Sequence, residues 1–374
     1  MILTTLLMMQ GPVLAPEGTG EGALTLPNPF GPSSELQIFG RFQQDFAWID
    51  DDNFGTPDGS EARRARIGVG GNLAEGLDFK MEVDFASFDG SGAAFTDAYL
   101  KFGGLPLGTV QVGHFKEPFS LNELTSSRFL TFTERADTFA IGRNTGVMIS
   151  DATEEMTWQA GGFWDTAKNL DTSGNSTAAT GRFVFRPTYA DDGASLVHVG
   201  GAVSIRENDG GMYSQSSSGG IHLLGGDLVA ATIAADDLTL IGLEAAWQEG
   251  PAHAELEYVM ADGDDDSFST WYVQGGYFLT GESRGYKTSS AAFSRVNPLT
   301  PWGGSGNGAW EVAGRINGID LSEGAADQEA TQVALGLNWY MTSHARIMFS
   351  LYQGDSDALS DDVMGAVIRF AFDF

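Results

Sequence analysis

The last twelve residues of the chain constrain its fold most strongly, because large apolar side chains recur there with a period of two. One set of alternate positions is Met364, Ala366, Ile368, Phe370, Phe372 and Phe374. The positions between them are Val363, Gly365, Val367, Arg369, Ala371 and Asp373. Successive side chains of a β-strand point to opposite faces, so this pattern predicts a strand with one aromatic-rich face against an apolar medium.

The same alternation recurs along most of the chain. Residues 36–48 place Leu36, Ile38, Phe42, Phe46 and Trp48 on one face and Arg41, Gln43 and Asp45 on the other. Residues 77–85 and 331–341 alternate in the same way. Similar segments lie near residues 94–103, 155–165, 195–206, 238–248, 252–261, 268–280, 308–320 and 344–354.

A soluble β-sandwich would also alternate, with its apolar face turned towards a core. Two features favour a membrane-spanning barrel with a wet interior. Charges occupy the middle of the polar faces, as in Lys80-x-Glu82-x-Asp84, and aromatic residues collect near strand ends. The sequence therefore predicts an all-β fold, a closed antiparallel transmembrane β-barrel. Sixteen or seventeen strands can be counted, and sixteen is favoured because bacterial single-chain barrels have even strand numbers.

The composition excludes several classes of function. Fifty acidic residues against twenty basic ones give a net charge of −30, which disfavours nucleic acid as a partner. The chain has no cysteine, which excludes thiolate metal sites and cysteine nucleophiles. No run of about 18 apolar residues follows the N-terminus, so no transmembrane helix is predicted there. We expect no cofactor and no metal site.

The N-terminal region differs from the rest of the chain. Residues 1–15 contain an apolar stretch that ends in Pro12-Val13-Leu14-Ala15 and resembles a secretory signal peptide, although a basic start is lacking. A disordered tail is the alternative. Residues 16–34 are rich in Gly, Pro and Ser and predict a linker, and residues 35–374 predict the barrel domain.

Residues 116–145 lack the period of two. A short helix is predicted from Ser120 or Leu121 to Phe132, because Ser120 and Glu123 have the spacing of a capping box. Connections of this length in compact proteins are usually functional or disordered, and the aromatic content argues against disorder. We expect this segment to fold into the barrel and to narrow the pore.

Several motifs resemble the phosphate-selective porin O/P family and occur in the family's order across roughly residues 35–374. They include Glu61-Ala62-Arg63-Arg64-Ala65-Arg66-Ile67-Gly68-Val69, Asp97-Ala98-Tyr99-Leu100, Val112-Gly113-His114-Phe115-Lys116-Glu117-Pro118-Phe119-Ser120-Leu121 and Gly142-Arg143-Asn144-Thr145-Gly146-Val147. The resemblance implies a homotrimeric porin of the bacterial outer membrane whose third loop forms a constriction. It also implies passage of small polar or anionic solutes such as phosphate, drawn along lumenal arginines and held by basic and hydroxyl groups.

The resemblance and the strand parity together give two sets of candidate residues. The candidates for the constriction and its anion site are Lys116, Ser126, Ser127, Arg128, Arg135 and Arg143. The candidate lumenal basic residues are Arg41, Arg64, Arg66, Lys80, Lys101, Arg315 and Arg346. Charged donors and hydroxyls suit a phosphate group. The alternative for each is an ion pair across the barrel, with Asp45, Glu82, Asp84 or Asp97 as the partner.

The chain departs from the family pattern in its charge, because it has only five lysines: Lys80, Lys101, Lys116, Lys168 and Lys287. A phosphate trap should be rich in lysine, so a broader anion or mixed small-solute pore fits equally well. A non-conducting barrel that acts as an adhesin or scaffold through its acidic loops is the alternative from another functional class. The inward loop disfavours it, because a scaffold needs no constriction.

Two motifs point to other chemistry and fail on their context. Residues 281–285 fit the G-x-S-x-G pattern of a hydrolase, but the sequence after them predicts no helix, so we expect no enzyme. Asp262 begins a calcium-loop-like run of acids, yet Val273 stands where an EF-hand needs a carboxylate. The histidines are scattered without metal spacing and are interpreted as structural: His114, His198, His222, His253 and His344.

Overall fold

The fold is described from a computed structural model, which covers residues 24–27, 35–86, 93–139, 141–166, 176–322 and 328–374. The predicted signal peptide at residues 1–15 lies outside the described residues, as does most of the predicted linker. The described helices are one α-helix of four residues and one 3₁₀ turn, Asp191–Gly193. Within these ranges, no helix is long and apolar enough to cross a membrane.

The described residues are dominated by β-strands. In chain order they are β1 (Leu24–Pro27), β2 (Glu35–Asp50), β3 (Gly59–Ala74), β4 (Leu77–Asp84), β5 (Ala94–Leu105), β6 (Gly108–Lys116), β7 (Arg143–Ala152), β8 (Met156–Trp164), β9 (Thr177–Ala190), β10 (Ser195–Glu207), β11 (Met212–Ser217), β12 (Val229–Ala234), β13 (Asp237–Glu249), β14 (Ala252–Asp262), β15 (Ser267–Phe278), β16 (Arg284–Lys287), β17 (Ala292–Val296), β18 (Ala309–Asp320), β19 (Glu329–Thr342), β20 (Ala345–Ser356) and β21 (Val363–Asp373).

Sixteen of these strands close into one antiparallel barrel, as the sequence predicts. The barrel strands are β2–β10, β13–β15 and β18–β21. Closure occurs between β2 and β21, where Asp50 pairs with Met364 and Arg41 with Asp373. The pairing extends to the last residue, because the Gly40 amide donates to the Phe374 carbonyl at 3.0 Å. Strand β1, within the predicted linker, pairs with β2 beyond this point.

The two faces of the strands have the polarity that the sequence predicts. On β21, Phe370 and Phe372 leave 46% and 51% of their surface exposed on the outside, whereas Arg369, on the opposite face next to Phe370, is 0% exposed. Trp48 and Trp164 likewise lie exposed near strand ends. The outer surface is therefore an apolar band with aromatic residues at its borders, which is the surface of a barrel in lipid.

The connections differ between the two ends of the barrel. At one end, which also holds Phe374, the strands are joined by short turns such as residues 75–76, 250–251 and 343–344. The opposite end carries longer loops, among them the acidic residues 51–58 and 357–362. These are called the short-turn end and the long-loop end below. Bacterial barrels place short turns in the periplasm and long loops outside the cell.

Three connections fold into the barrel. The inward loop, residues 117–142 between β6 and β7, buries Phe119, Phe132 and Phe139 completely. A second segment, residues 208–236 with β11 and β12, enters from the long-loop end. A third, residues 279–308 with β16 and β17, enters from the short-turn end and is called the short-turn hairpin below. Their apolar side chains pack against each other and the barrel wall, so much of the lumen is filled.

The helix predicted in the inward loop is shorter than expected. Helix α1 spans only Leu121–Leu124, so the expectation that it extends to Phe132 is wrong. Ser120 is the N-cap as predicted, with its Oγ accepting from the Glu123 amide at 3.1 Å. The helix ends because Thr125 has extended dihedral angles, and its carbonyl, like that of Asn122, accepts a hydrogen bond from Arg135. Tertiary contacts thus take carbonyls that a longer helix would need.

Candidate functional site

A cavity of about 170 Å³ lies inside the barrel and is called the lumenal cavity here. Its walls are strands β2–β8 on one side, the inward loop on another and the short-turn hairpin on the third. All six predicted constriction residues line it: Lys116, Ser126, Ser127, Arg128, Arg135 and Arg143. The structure therefore brings together residues that lie up to 27 positions apart in the sequence.

Five of the seven predicted lumenal basic residues also line this cavity, namely Arg41, Arg64, Arg66, Lys80 and Lys101. Arg315 and Arg346 face the lumen but do not line the cavity. Arg315 donates to the Glu134 carbonyl at 2.9 Å, and Arg346 donates to the Leu130 carbonyl at 2.7 Å. Both arginines therefore attach the inward loop to the barrel wall.

The charge of the cavity lining is opposite to that of the chain. Among the described residues, ten basic side chains line it: Arg41, Arg64, Arg66, Lys80, Lys101, Lys116, Arg128, Arg135, Arg143 and Lys287. Two acidic side chains line it, Asp97 and Glu123. The whole chain has 20 basic and 50 acidic residues, so half of all its cations lie at this one place.

Carboxylates on the barrel wall pair with many of these cations. Arg41 lies 2.7 Å from Glu82, and Arg66 lies 2.6 Å from Asp84. Asp97 contacts both Lys80 at 2.6 Å and Arg143 at 2.7 Å. The ion pairs that the sequence offered as an alternative are therefore present. They do not exclude solute contact, because a guanidinium has five N–H donors and one carboxylate uses only some of them.

Hydroxyl groups of the inward loop lie next to the wall cations. Arg41 Nη1 donates to Ser127 Oγ at 2.9 Å and to Ser126 Oγ at 3.3 Å. The same guanidinium contacts Glu82 through Nη2. Arg41 thus connects the wall to the loop and places two hydroxyls and a cation on one side of the cavity. Such a combination can bind an oxyanion through charged and neutral donors.

Glu123 organises the part of the cavity lining next to Lys116 and Arg135. Its carboxylate lies 2.8 Å from Lys116 Nζ and 3.0 Å from Arg135 Nε. Burial raises the pKa of Glu123, but Arg135 and Lys116 outweigh this effect and lower it to about 2. The carboxylate is therefore charged near neutral pH. Arg135 also donates to three carbonyls of the loop, those of Asn122, Glu123 and Thr125.

Sequence reasoning missed Arg63 as a lumenal cation. A β-bulge shifts the register of β2 and β3, because Gln43 pairs with Arg64 and Gln44 with Ala62. Arg63 is the extra residue, and it donates to Glu134 of the inward loop at 2.8 Å. Strict alternation would send one of two adjacent arginines to the outside. A bulge interrupts the alternation, so both arginines can point into the lumen. The local sequence does not predict where the bulge occurs.

The contribution of the short-turn hairpin was also missed. Lys287, Ser289, Ser290 and Ser294 line the lumenal cavity from that side. Strand β16 begins at Arg284, within the G-x-S-x-G-like residues 281–285, where a nucleophile elbow would need a helix to follow. Arg182 fixes the hairpin tip by donating to the Ser290 and Ala291 carbonyls, each at 2.9 Å.

The histidines lie in separate structural contacts. His198 contacts Tyr286 and Glu244, at 2.8 and 3.0 Å, and His253 contacts Glu311 at 2.7 Å. In the part of the chain that the structure describes, no group of three His, Cys, Asp or Glu side chains could hold a metal ion.

Comparison with known proteins agrees with this geometry. The family model described as phosphate-selective porin O and P matches residues 36–374. Porin O of Pseudomonas aeruginosa is 27% identical, with the match covering 91% of this chain and 88% of that protein. An anion-selective porin from Comamonas acidovorans has a similar fold, with a TM-score of 0.60 at 16% identity over 91% of this chain and 100% of that one. A trimer form of OmpT from Vibrio cholerae gives a TM-score of 0.57 at 14% identity, over 91% and 99% of the two chains.

The family match covers the complete barrel, including the inward loop and the residues that line the lumenal cavity. The match to a family of porins indicates a diffusion channel and not an enzyme. The chain belongs to the phosphate-selective porin O and P family and is a porin of the bacterial outer membrane.

Proposed function

We propose that this porin is anion-selective and that the lumenal cavity is its constriction and anion-binding site. The observation that carries the proposal is the ten basic against two acidic side chains in the cavity lining of a chain with net charge −30. Selectivity in a pore is set by the charges that line its narrow part, and the charge of the outer surface matters less.

Phosphate is the proposed solute among small anions. Guanidinium groups and hydroxyls both donate to phosphate oxygens, and Arg41, Ser126 and Ser127 lie within hydrogen-bond distance of each other at the cavity. The relatives support this assignment, because the family is named for phosphate selectivity and the similar fold from Comamonas is an anion-selective porin. Transport is passive diffusion down the solute gradient.

Phosphate titration of the chloride current through single channels tests the site. We expect phosphate to reduce the chloride current in the millimolar range or below. The double variant Ser126→Ala, Ser127→Ala should need about tenfold more phosphate, since two hydroxyl donors are lost. Ser267→Ala, at the exposed start of β15, is the matched control and should behave as wild type. A wild-type current that phosphate does not reduce would contradict the phosphate assignment and leave a broader anion pore.

We also infer a homotrimer, because a related barrel fold has been solved in a trimer form. Light scattering in a mild detergent should give three times the mass of the chain. A monomeric mass under those conditions would refute this inference.

A further inference from the structure

Glu123 is unusual among the carboxylates of the lumen because it lines the cavity from the loop side. The other acidic residue of the lining, Asp97, lies on the wall between Lys80 and Arg143. Glu123 instead lies between Lys116 and Arg135, two of the four cations among the predicted constriction residues. Its side chain is 13% exposed, so its charge is within reach of a solute in the cavity.

The backbone around Glu123 is fixed by contacts that do not involve its carboxylate. Ser120 caps the helix through the Glu123 amide, and the Asn122 amide donates to Glu257 Oε1 at 2.6 Å. Arg135 donates to the Asn122 and Thr125 carbonyls. Removing only the negative charge should therefore leave the loop in place.

We propose that Glu123 is a specificity-determining residue, whose single negative charge offsets part of the positive charge of Lys116 and Arg135 and so limits the preference of the pore for multiply charged anions. This proposal rests on the proposed anion selectivity. The repulsion between a fixed carboxylate and a solute grows with the solute's charge, so a dianion is penalised about twice as much as a monoanion at the same distance. With Glu123 in place, the positively charged lining therefore favours dianions over singly charged anions, such as chloride, small monocarboxylates and monobasic phosphate, by less than it would without this carboxylate.

The test compares sulfate, a dianion across the working pH range, with chloride. The permeability ratio of sulfate to chloride is obtained from reversal potentials with one salt on each side of a planar bilayer. Glu123→Gln keeps the size of the side chain and removes its charge, and its one amide oxygen can still accept a hydrogen bond from Lys116 or Arg135. We expect the ratio to rise by about tenfold, as removal of one nearby charge in a partly shielded site predicts. Glu123→Ala should raise it in the same direction.

Two controls separate the local charge from other effects. Glu123→Asp retains the charge, so its permeability ratio of sulfate to chloride should stay within about twofold of the wild-type ratio. Asp52→Asn removes the same charge from an exposed loop at the long-loop end and should leave the ratio unchanged. A ratio that rises equally in Asp52→Asn would overturn the proposal.

The proposal and the proposed function can fail separately. If the wild-type pore prefers cations, the anion-selective function itself is wrong. If the wild-type pore prefers anions, and the folded Glu123→Gln and Glu123→Ala variants both keep the wild-type permeability ratio of sulfate to chloride, only the role of Glu123 is refuted. Folding of each variant is checked by the difference in gel migration between unheated and boiled samples.

Discussion

At the scale of single residues, Glu134 is the main attachment of the inward loop. Its carboxylate lies 2.6 Å from Arg369 of β21 and 2.8 Å from Arg63 of β3, on two strands that flank β2. Burial raises the pKa of Glu134, but the guanidinium groups of Arg369, Arg63 and Arg64 outweigh this and hold it well below its usual range. One carboxylate therefore holds the loop and several wall cations together.

Glu134→Gln should destabilise the folded barrel by about 3 kcal/mol at pH 7, because it removes the carboxylate paired with Arg63 and one of the two paired with Arg369. A lowered pKa in the folded state contributes stability above the ordinary carboxyl pKa, and this contribution is lost as the pH falls through the lowered value. The difference in the free energy of unfolding between the variant and the wild type should therefore become smaller in strong acid. The stability is measured on a gel as the heating temperature at which the fast-migrating band of the folded barrel disappears. Equal temperatures for the variant and the wild type at pH 7 would contradict the prediction.

Asp137, three residues after Glu134, has a pKa that is shifted in the opposite direction. Burial raises its pKa, although Ser217 donates to its carboxylate at 2.5 Å. The folded state then holds a proton more readily than the unfolded chain, so stability decreases as the pH rises from the ordinary carboxyl pKa to the raised value. Asp137→Asn should remove this dependence and be at least as stable as wild type at pH 7. A lower melting temperature of the variant at pH 7 would show that the charged form is the stabilising one.

The residue scale also marks a limit of prediction. The parity of β2–β5 predicts Arg41, Arg64 and Lys80 on the lumenal face, because alternation is a local property of strands, and the structure has all three in the lining of the lumenal cavity. It failed for Arg63, because the bulge is set by the pairing of two strands rather than by either sequence alone. Glu123 was foreseen only as a capping residue, since its role depends on Arg135, twelve positions away.

At the scale of elements, the sequence predicts the barrel strands, but it predicts only in part which connections fold into the barrel. The inward loop was expected because residues 116–145 are apolar and do not alternate. The short-turn hairpin was not expected, because β16 and β17 have only four and five residues and sit at the end where bacterial barrels have short turns. Its burial depends on long-range partners such as Arg182 and His198.

Shortening this hairpin should widen the pore. Replacing residues 283–297 by two glycines removes Tyr286 and Phe293, which pack inside the barrel, and leaves all sixteen barrel strands intact. Single-channel conductance should rise at least about twofold, because conductance depends on the width and lining of the narrowest part. Single-channel recording of the folded variant checks this, and an unchanged conductance would mean that the hairpin does not border the conducting path.

At the scale of the whole molecule, charge is separated between the loops and the lumen. Acidic runs such as Asp50-Asp51-Asp52 and Asp361-Asp362 lie at the long-loop end, while the lumenal cavity is lined mainly by cations. This explains how a chain with net charge −30 can contain an anion site. The low lysine count is compensated by arginine, which supplies six of the ten basic residues in the cavity lining.

Because acidic loops and a basic lumen are separated, the anion preference of the pore should depend on ionic strength. Exposed loop charges are screened within about 10 Å at 0.1 M salt, whereas charges in a narrow lumen are screened much less. Anion preference should therefore increase from low to moderate ionic strength, as the repulsion of anions by the outer loops is screened first. A preference that only decreases as salt is added to about 0.1 M would contradict this, and reversal potentials over a series of salt concentrations provide the measurement.

The sign of the reversal potential under a potassium chloride gradient tests the central claim most directly. With the purified wild-type porin in a planar bilayer of neutral lipid, the lining of ten basic and two acidic residues predicts a potential of anion sign. A potential of cation sign would show that the carboxylates of the chain, and not the cations of the lumenal cavity, control what passes through the pore.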